Sequence, residues 1–439
     1  LIVIGAGMAG VAAANKCGAA GWRVAIVDAL PYGGTCALRG CDPKKILRRG
    51  AEIVDAARLM EGKGIDPSGL KINWSDLMAH KRGFTDPVPD KMEKGLTGNG
   101  VETLHGAARF TGANTLEVDG HLYQSKRFLV AAGAIPRPVN FTGANLMIDS
   151  TGFLNLEALP KRILFVGGGF VSFEFAHIAA RAGVDRGARP LNAFDPDLVE
   201  MLIARSAAVG VDLRRQTEIV SITASDAGFA VEVKTGDQTT TIETDLVVHG
   251  AGRIAALADL NLEAADVSYG DKGIIVASHL QSTTNDAVFA AGDSADTKGM
   301  PLTPVAVIEG KVAASNMLKE QKIVPDYSGI PTAVFTVPEL ARVGMLEAEA
   351  KAAGHDVDVR FTDTGGWYSN YRIGEASAAA KVLVDKSDGK ILGAHLFGPE
   401  YGELINFFGL AIKLGLTAKQ LKSTTAAYPS VGSDLGSLI

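Results

Sequence analysis

Residues 1–10 read LIVIGAGMAG: an apolar run from Leu1 to Ile4 that passes directly into Gly5, Gly7 and Gly10, followed by the alanine-rich VAAANKCGAAG. A short apolar run ending on glycine predicts a buried parallel strand, and the alanines beyond it predict a helix. The GxGxxG spacing has a physical purpose. Gly5 permits a tight turn, Gly7 lets backbone approach a pyrophosphate, and Gly10 lets helix and strand pack closely. WRVAIVD, residues 22–28, predicts the next strand, and its last residue, Asp28, stands about 20 positions after the motif begins, where a carboxylate can hold a ribose hydroxyl pair. Motif, strands and acid agree on dinucleotide binding. The same opening could pass for a secretory apolar core, but the glycine spacing explains it better. It begins inside an apolar run without Met, so a native N-terminus further upstream is expected.

The pattern recurs at RILFVGGGFVSFEFAHIAARAG, residues 162–183, with an expected strand from Ile163 to Val166, glycines at Gly167 and Gly169, and Ser172 in the third small position. Two phosphate-binding turns imply two nucleotide sites, most simply a flavin dinucleotide and a nicotinamide. The second unit departs from the first after Gly183. The chain runs Val184, Asp185, Arg186 and straight into GARPL, so most of a strand is absent. Losing a central strand would leave a hole costing several kcal/mol. A break in the chain near Val184 to Arg186 is therefore expected.

A third run, VFAAGDSA (288–295), ends its β-rich part at Asp293 and is followed by LTPVAVIEGKVAASNM, where Thr303 is a good N-cap and Pro304 a good first helical residue. The positive end of that helix suits an anionic ring system, although an ordinary well-capped helix reads the same way. From Tyr327 onward the glycine motifs stop. AAAKVLVD and ILGAHLFG read as strands, and GELINFFGLAIKLG as a helix whose Leu404, Phe407, Phe408, Ala411, Ile412 and Leu414 form a wide apolar face. An α+β domain and a homodimer interface are expected there.

The 439 residues suffice for about two to four domains. A net charge of −6 without a basic stripe argues against nucleic acid or an anionic membrane as partner, since both need a positive field. No apolar run reaches the roughly 18 residues of a membrane helix. Three cysteines make no disulfide scaffold, which favours a reducing, cytoplasmic setting.

Two of those cysteines lie five apart in GGTCALRGCDPKK, residues 33–45. A disulfide needs Cα atoms roughly 4.4 to 6.8 Å apart, whereas a regular helix separates such residues by about 7.5 Å along its axis. The segment must therefore bend, and Gly40 and Pro43 allow it. A zinc half-site lacks a second ligand pair, so no metal is expected, and a staple closing so small a loop adds little stability. A redox pair is the preferred reading. Arg39, Lys44 and Lys45 favour thiolates, while Asp42 opposes them. Cys17, in the alanine-rich helix, reads as a buried small hydrophobe.

Both glycine turns, the double-glycine cysteine loop, AAGAIPRP (131–138), GAGR (250–253), AAGD (290–293) and LTPVA (302–306) follow one another in an order that resembles the pyridine nucleotide-disulfide oxidoreductases. That resemblance implies an α/β fold with two Rossmann-like domains, for FAD and for NAD(P), and an α+β C-terminal dimerisation domain. The expected boundaries are 1–143 for the FAD-binding domain, 144–256 for the NAD(P)-binding domain, 257–326 for a central region completing the first, and 327–439 for the interface. It implies a homodimer that carries FAD and oxidises NADPH or NADH. By position, Cys36 resembles the interchange thiol and Cys41 the charge-transfer thiol. Lys44 and Glu174 match an ion pair beside the flavin, Phe170 a gate over it, and Asp293 the acid on its ribityl chain. Gly34, Thr35, Lys45, Gly133, Thr303, Pro304 and Gly252 fall on cofactor-binding positions. Arg186 and Arg189 fall where NADPH users place guanidiniums for the 2′-phosphate, although two solvated surface arginines would look the same.

One departure bears on the chemistry. Thiol-handling members end in His-x-His-Pro-Thr-x-x-Glu, and here the matching stretch is AAYPSVGSD: Ala426 and Tyr428 replace the histidines, Ser433 the acid, and Asp434 comes one place late. A phenol near pKa 10 is a poor base for thiol exchange. No histidine follows His395, itself expected to be a satisfied core residue. Tyr428 is left to bond substrate or to be buried at the dimer interface. The expectation is an FAD-dependent NAD(P)H oxidoreductase passing electrons through Cys36–Cys41 to a small-molecule acceptor: a disulfide, a thiol-bound metal or a similar electrophile. The alternatives are a diaphorase reducing quinones from flavin directly, and a non-catalytic redox-sensing dimer.

Overall fold

The computed structural model describes residues 1–179, 183–184, 190–226 and 228–439. The chain forms two compact units: Leu1–Lys44 with Ala79–Pro138 and Gly252–Tyr327, and Lys45–Met78 with Val139–Ala251 and Ser328–Ile439.

The first unit is built on a parallel sheet in the order Val288–Ala290, Phe128–Val130, Ile2–Ile4, Val24–Asp28, Val101–His105. Its strands are apolar at successive positions because both faces are covered. Val3 and Leu129 point into a core with Ala13, Ala14, Cys17 and Met317, whereas Ile2, Ile4, Phe128 and Val130 point the other way, against Phe110, Leu116 and Ile274. Cys17 is fully buried, as expected, and burial pushes its thiol up to about 11. The helices Met8–Ala19 and Thr303–Lys319 pack so closely that a Cβ on Gly310 would stand 2.2 Å from the Ala9 carbonyl oxygen. Thr303 is not the N-cap. That place belongs to Leu302, in extended conformation, which leaves Thr303 as the first helical residue with its hydroxyl free for another task.

The second unit contains a parallel sheet in the order Leu213–Arg214, Gly183–Val184, Ile163–Val166, Leu246–His249. At the edge of the stretch where a strand was expected to be missing, Gly183 and Val184 pair on both sides. The chain break expected at Val184 to Arg186 lies, beyond Val184, outside the described residues. The C-terminal part is an antiparallel sheet in the order Thr332–Val334, Glu339–Gly344, Ile391–Gly398, Ala379–Asp385, Val357–Asp363. The helix Tyr401–Leu414 covers it with Leu404, Ile405, Phe408 and Ala411. The single apolar face read from sequence is divided: Phe407, Leu410 and Leu414 are 44%, 55% and 63% exposed on the outer side. His395 is fully buried as expected but only half satisfied, with Nε2 on the Met345 carbonyl at 2.9 Å and no partner at Nδ1 among the described residues.

No helix among the described residues is long and apolar enough to cross a membrane.

Candidate active site

In the first unit the strand Ile2–Ile4 ends at Gly5, whose φ of +104° and close approach to Ala131, 2.2 Å from a would-be Cβ to its carbonyl oxygen, exclude any side chain. Gly7 is the N-cap of the helix Met8–Ala19 and no side chain caps it, so the first-turn amides are left to an outside acceptor. The Gly33–Gly34 turn leans on this motif. Gly34 has φ +62°, and a Cβ there would stand 2.6 Å from Gly7 Cα. Asp28 is held at the edge of the cradle, accepting the Ala6 N–H at 2.8 Å and the Leu30 N–H at 2.9 Å.

Thr35 opens a single π-type turn, Thr35–Arg39, and Gly40 breaks it before the helix Cys41–Leu59 begins on the second cysteine. This is the bend that the spacing required. Both residues are thiols, Cys36 half-buried and Cys41 exposed, and they are near enough for each to act on the other's charge. The neighbouring Cys41, then burial, push the Cys36 thiol well above the ordinary range. Asp42 adds to the rise, and the Thr303 hydroxyl acts in the opposite sense. Thr303 Oγ1 also lies 3.7 Å from Cys41 Sγ. Thr303 and Pro304 thus bring the positive end of a 17-residue helix to the two sulfurs. Lys44 is buried in this unit, 5% exposed.

Asp293 sits in the turn Gly292–Ser294. Burial raises its carboxyl above the usual range and Arg253 pulls it back, and it has no hydrogen-bond partner among the described residues. Gly133, at φ +73°, faces open space, and Gly252, at φ +96°, accepts the Arg137 N–H.

In the second unit Gly167, at φ +105°, packs on Ala251, and Gly169 leads into the helix Phe170–Ala179. Phe170 is 46% exposed. Ser172 fills the third small position so tightly that a Cβ on Gly250 would stand 2.2 Å from its hydroxyl. Glu174 is 2% exposed. It accepts the Phe335 N–H at 3.0 Å, and the Lys45 ammonium lies 3.6 Å from its carboxylate within the same unit. The Lys45 ammonium also lies 3.4 Å over the Phe335 ring. Arg186 and Arg189 lie outside the described residues. Tyr428 is 82% exposed. Asp434, the late acid, bonds Ser369 at 2.5 Å. No group of three or more His, Cys, Asp or Glu side chains among the described residues could hold a metal ion.

The roles of three contributors were not read from the sequence. Phe335 lies in an unremarked strand end, Thr303 was assigned to capping, and Glu309 is a lone acid in an apolar helix, the one signal that a closer reading could have used.

Comparison with known proteins agrees with this geometry. Residues 1–310 match the family model "Pyridine nucleotide-disulphide oxidoreductase", and residues 330–438 match its dimerisation domain. A glutathione reductase of Burkholderia cepacia is 30% identical over 443 residues, covering 100% of this chain and 98% of that protein. A dihydrolipoyl dehydrogenase of Geobacillus stearothermophilus is 31% identical over 441 residues, covering 98% and 93%. Among solved structures, the Cu(II) complex of the HOCl-induced flavoprotein disulfide reductase RclA from Escherichia coli superposes with TM-score 0.88 at 25% identity, covering 100% of this chain and 98% of that one. Members of the family are FAD-dependent oxidoreductases that use NAD(P)H. The uncapped glycine turn, the held Asp28 and the donorless Asp293 fit the first group, and the second glycine turn fits the other. The chain belongs to the pyridine nucleotide-disulphide oxidoreductase family.

Proposed function

We propose that this flavoprotein works through a redox-active Cys36–Cys41 pair, taking electrons from NAD(P)H and delivering them to a small-molecule acceptor with a sulfur-reactive centre. The observation that carries the reading is the turn Thr35–Arg39, which bends the chain between Cys36 and Cys41 and leaves Cys41 Sγ 3.7 Å from Thr303 Oγ1 at the head of the helix Thr303–Lys319. Oxidation of the dithiol to a disulfide releases two protons and one electron pair, which suffices to reduce one acceptor disulfide to two thiols. Bound FAD supplies two-electron exchange with the nicotinamide. The protein's own part is to hold the thiols together, to favour a thiolate at the head of the Thr303–Lys319 helix, and to anchor the dinucleotide through Gly5, Gly7, Gly10, Asp28, Gly34, Thr35, Gly133, Asp293 and Gly252. Gly167, Gly169, Phe170, Arg186 and Arg189 serve the nicotinamide nucleotide. The Phe407, Leu410 and Leu414 face fits a homodimer, and a cytoplasmic setting fits thiols that must cycle.

The acceptor is a thiophilic metal ion or a small electrophile rather than glutathione disulfide. Tyr428 stands where an imidazole is needed for rapid thiol exchange, and the RclA structure is named as a Cu(II) complex. A direct quinone reductase is the second reading, favoured by the same missing imidazole. Turnover of Cu(II), a small disulfide and a quinone by the parent, Cys36→Ser and Cys41→Ser proteins separates them. Cu(II) or disulfide reduction lost in both variants supports the thiol route, and quinone turnover indifferent to both supports the other.

A further inference from the structure

Glu309 is charged yet 1% exposed on the helix Thr303–Lys319. Its carboxylate receives three donors from separate stretches of chain: the Gly292 N–H on Oε2 at 2.7 Å, and the Thr297 and Tyr327 hydroxyls on Oε1, both at 2.7 Å. A buried carboxylate persists when its lone pairs are filled in this way. One donor matters more than the others, because it is the amide immediately before Asp293.

After Asp293 the Gly292–Ser294 turn is held by the buried Ser294, whose hydroxyl donates to the Val130 and Ala291 carbonyls at 3.2 and 3.1 Å; before Asp293 it is held by the Gly292 N–H on Glu309. Gly292 takes φ +69°, against the Cβ atoms of Ala9 and Ala306, and Asp293 itself finds no donor among the described residues. The direction of the Asp293 carboxylate is therefore set by the backbone on either side of it, held by Ser294 after it and by the Glu309–Gly292 bond before it. A merely structural tie between helix and loop would need the Thr297 and Tyr327 bonds only. Two carboxylates this close also oppose each other's ionisation, a cost that a scaffold alone would avoid.

We propose that Glu309 is a positioning residue for the cofactor-binding carboxylate Asp293, holding it toward a polyol hydroxyl of FAD, and that its charge depresses the flavin potential. This rests on the reading of Asp293 as a cofactor contact.

The test uses the holoprotein and its Glu309→Ala, Glu309→Gln and Asp293→Asn variants. FAD affinity is read from flavin fluorescence on dilution, midpoint potential from dye equilibration, and folding from circular dichroism. The Gln side chain keeps an oxygen for Gly292 while its NH2 meets the two hydroxyls. Glu309→Gln is thus expected to bind FAD within about threefold of the parent with a more positive potential, and Glu309→Ala to lose roughly tenfold or more in affinity. If Glu309→Ala fails to fold, Tyr327→Phe removes one hydroxyl and is expected to shift the potential in the same direction as Gln. Both Glu309 variants binding FAD as the parent does, at unchanged potential, while Asp293→Asn loses affinity, would overturn the positioning role alone. Parent-like affinity in Asp293→Asn would overturn the underlying reading of Asp293 and the proposal with it.

Discussion

Thr303 Oγ1 lies 3.7 Å from Cys41 Sγ, at the first residue of a helix whose N-terminus no side chain caps. Hydroxyl and helix end both favour a thiolate over a thiol, and the same hydroxyl lowers the pKa of Cys36. Thr303→Val is therefore expected to raise the pH at which the reduced pair is alkylated by about one unit, the worth of one hydrogen bond to a charged group, while Thr303→Ser keeps the parent profile. Iodoacetamide rates across pH measure this, and an unchanged profile in the valine variant would remove Thr303 from the thiol chemistry.

Two buried histidines give the fold its own pH dependence. His177 is clasped between Ser206 and the Val337 N–H, and burial lowers it to about 3; burial likewise lowers His395 to about 4. Unfolded histidines titrate near 6.5. Below that pH the unfolded chain binds protons that the native state refuses, so stability is complete above it and falls as pH drops toward the native values. Urea unfolding is expected to show a loss of roughly 2 kcal/mol per histidine between pH 7.5 and 5, and His177→Gln about half the total slope. Equal slopes in parent and variant would contradict this.

In the second unit Lys45 joins a carboxylate and a ring. Lys45→Met removes the ammonium from the nearly inaccessible Glu174, which keeps the Phe335 N–H. A stability loss of roughly 1–3 kcal/mol in urea unfolding is expected, largely restored in Lys45→Arg. A methionine variant as stable as the parent would show that this pair does not contribute.

The outer side of the helix Tyr401–Leu414 carries exposed Phe407, Leu410 and Leu414 in a segment that matches a dimerisation domain. Leu410→Arg is expected to convert the dimer to monomer by light scattering while leaving the inner side, Leu404 and Phe408, and hence the fold, intact. A variant that stays dimeric would place the interface elsewhere.

Much of the fold was legible because local patterns carried it. Ile2–Ile4 with Gly5, Gly7 and Gly10, and Ile163–Val166 with Gly167 and Gly169, each encode strand, turn and helix within a dozen residues, and the required bend between Cys36 and Cys41 followed from helix geometry alone. What escaped depends on contacts between distant stretches. The Glu309 carboxylate meets Gly292, Thr297 and Tyr327, and Lys45 lies 3.6 Å from Glu174 and 3.4 Å over the Phe335 ring. Thr303 illustrates the limit of propensity: its residue type suits an N-cap, yet Leu302 takes that place and the hydroxyl turns to sulfur. Of the stretch where a strand was expected to be missing, only Gly183 and Val184 are described, and they pair on both sides.

The central claim is that Cys36 and Cys41 store an electron pair beside the flavin. Anaerobic reductive titration of the oxidised protein, followed by absorbance, tests it most directly. The account predicts that each parent protomer takes up two electron pairs, with long-wavelength thiolate-to-flavin absorbance appearing between them, and that Cys36→Ser and Cys41→Ser each take up one. A parent protein that accepts a single electron pair, indistinguishable from either variant, would contradict it.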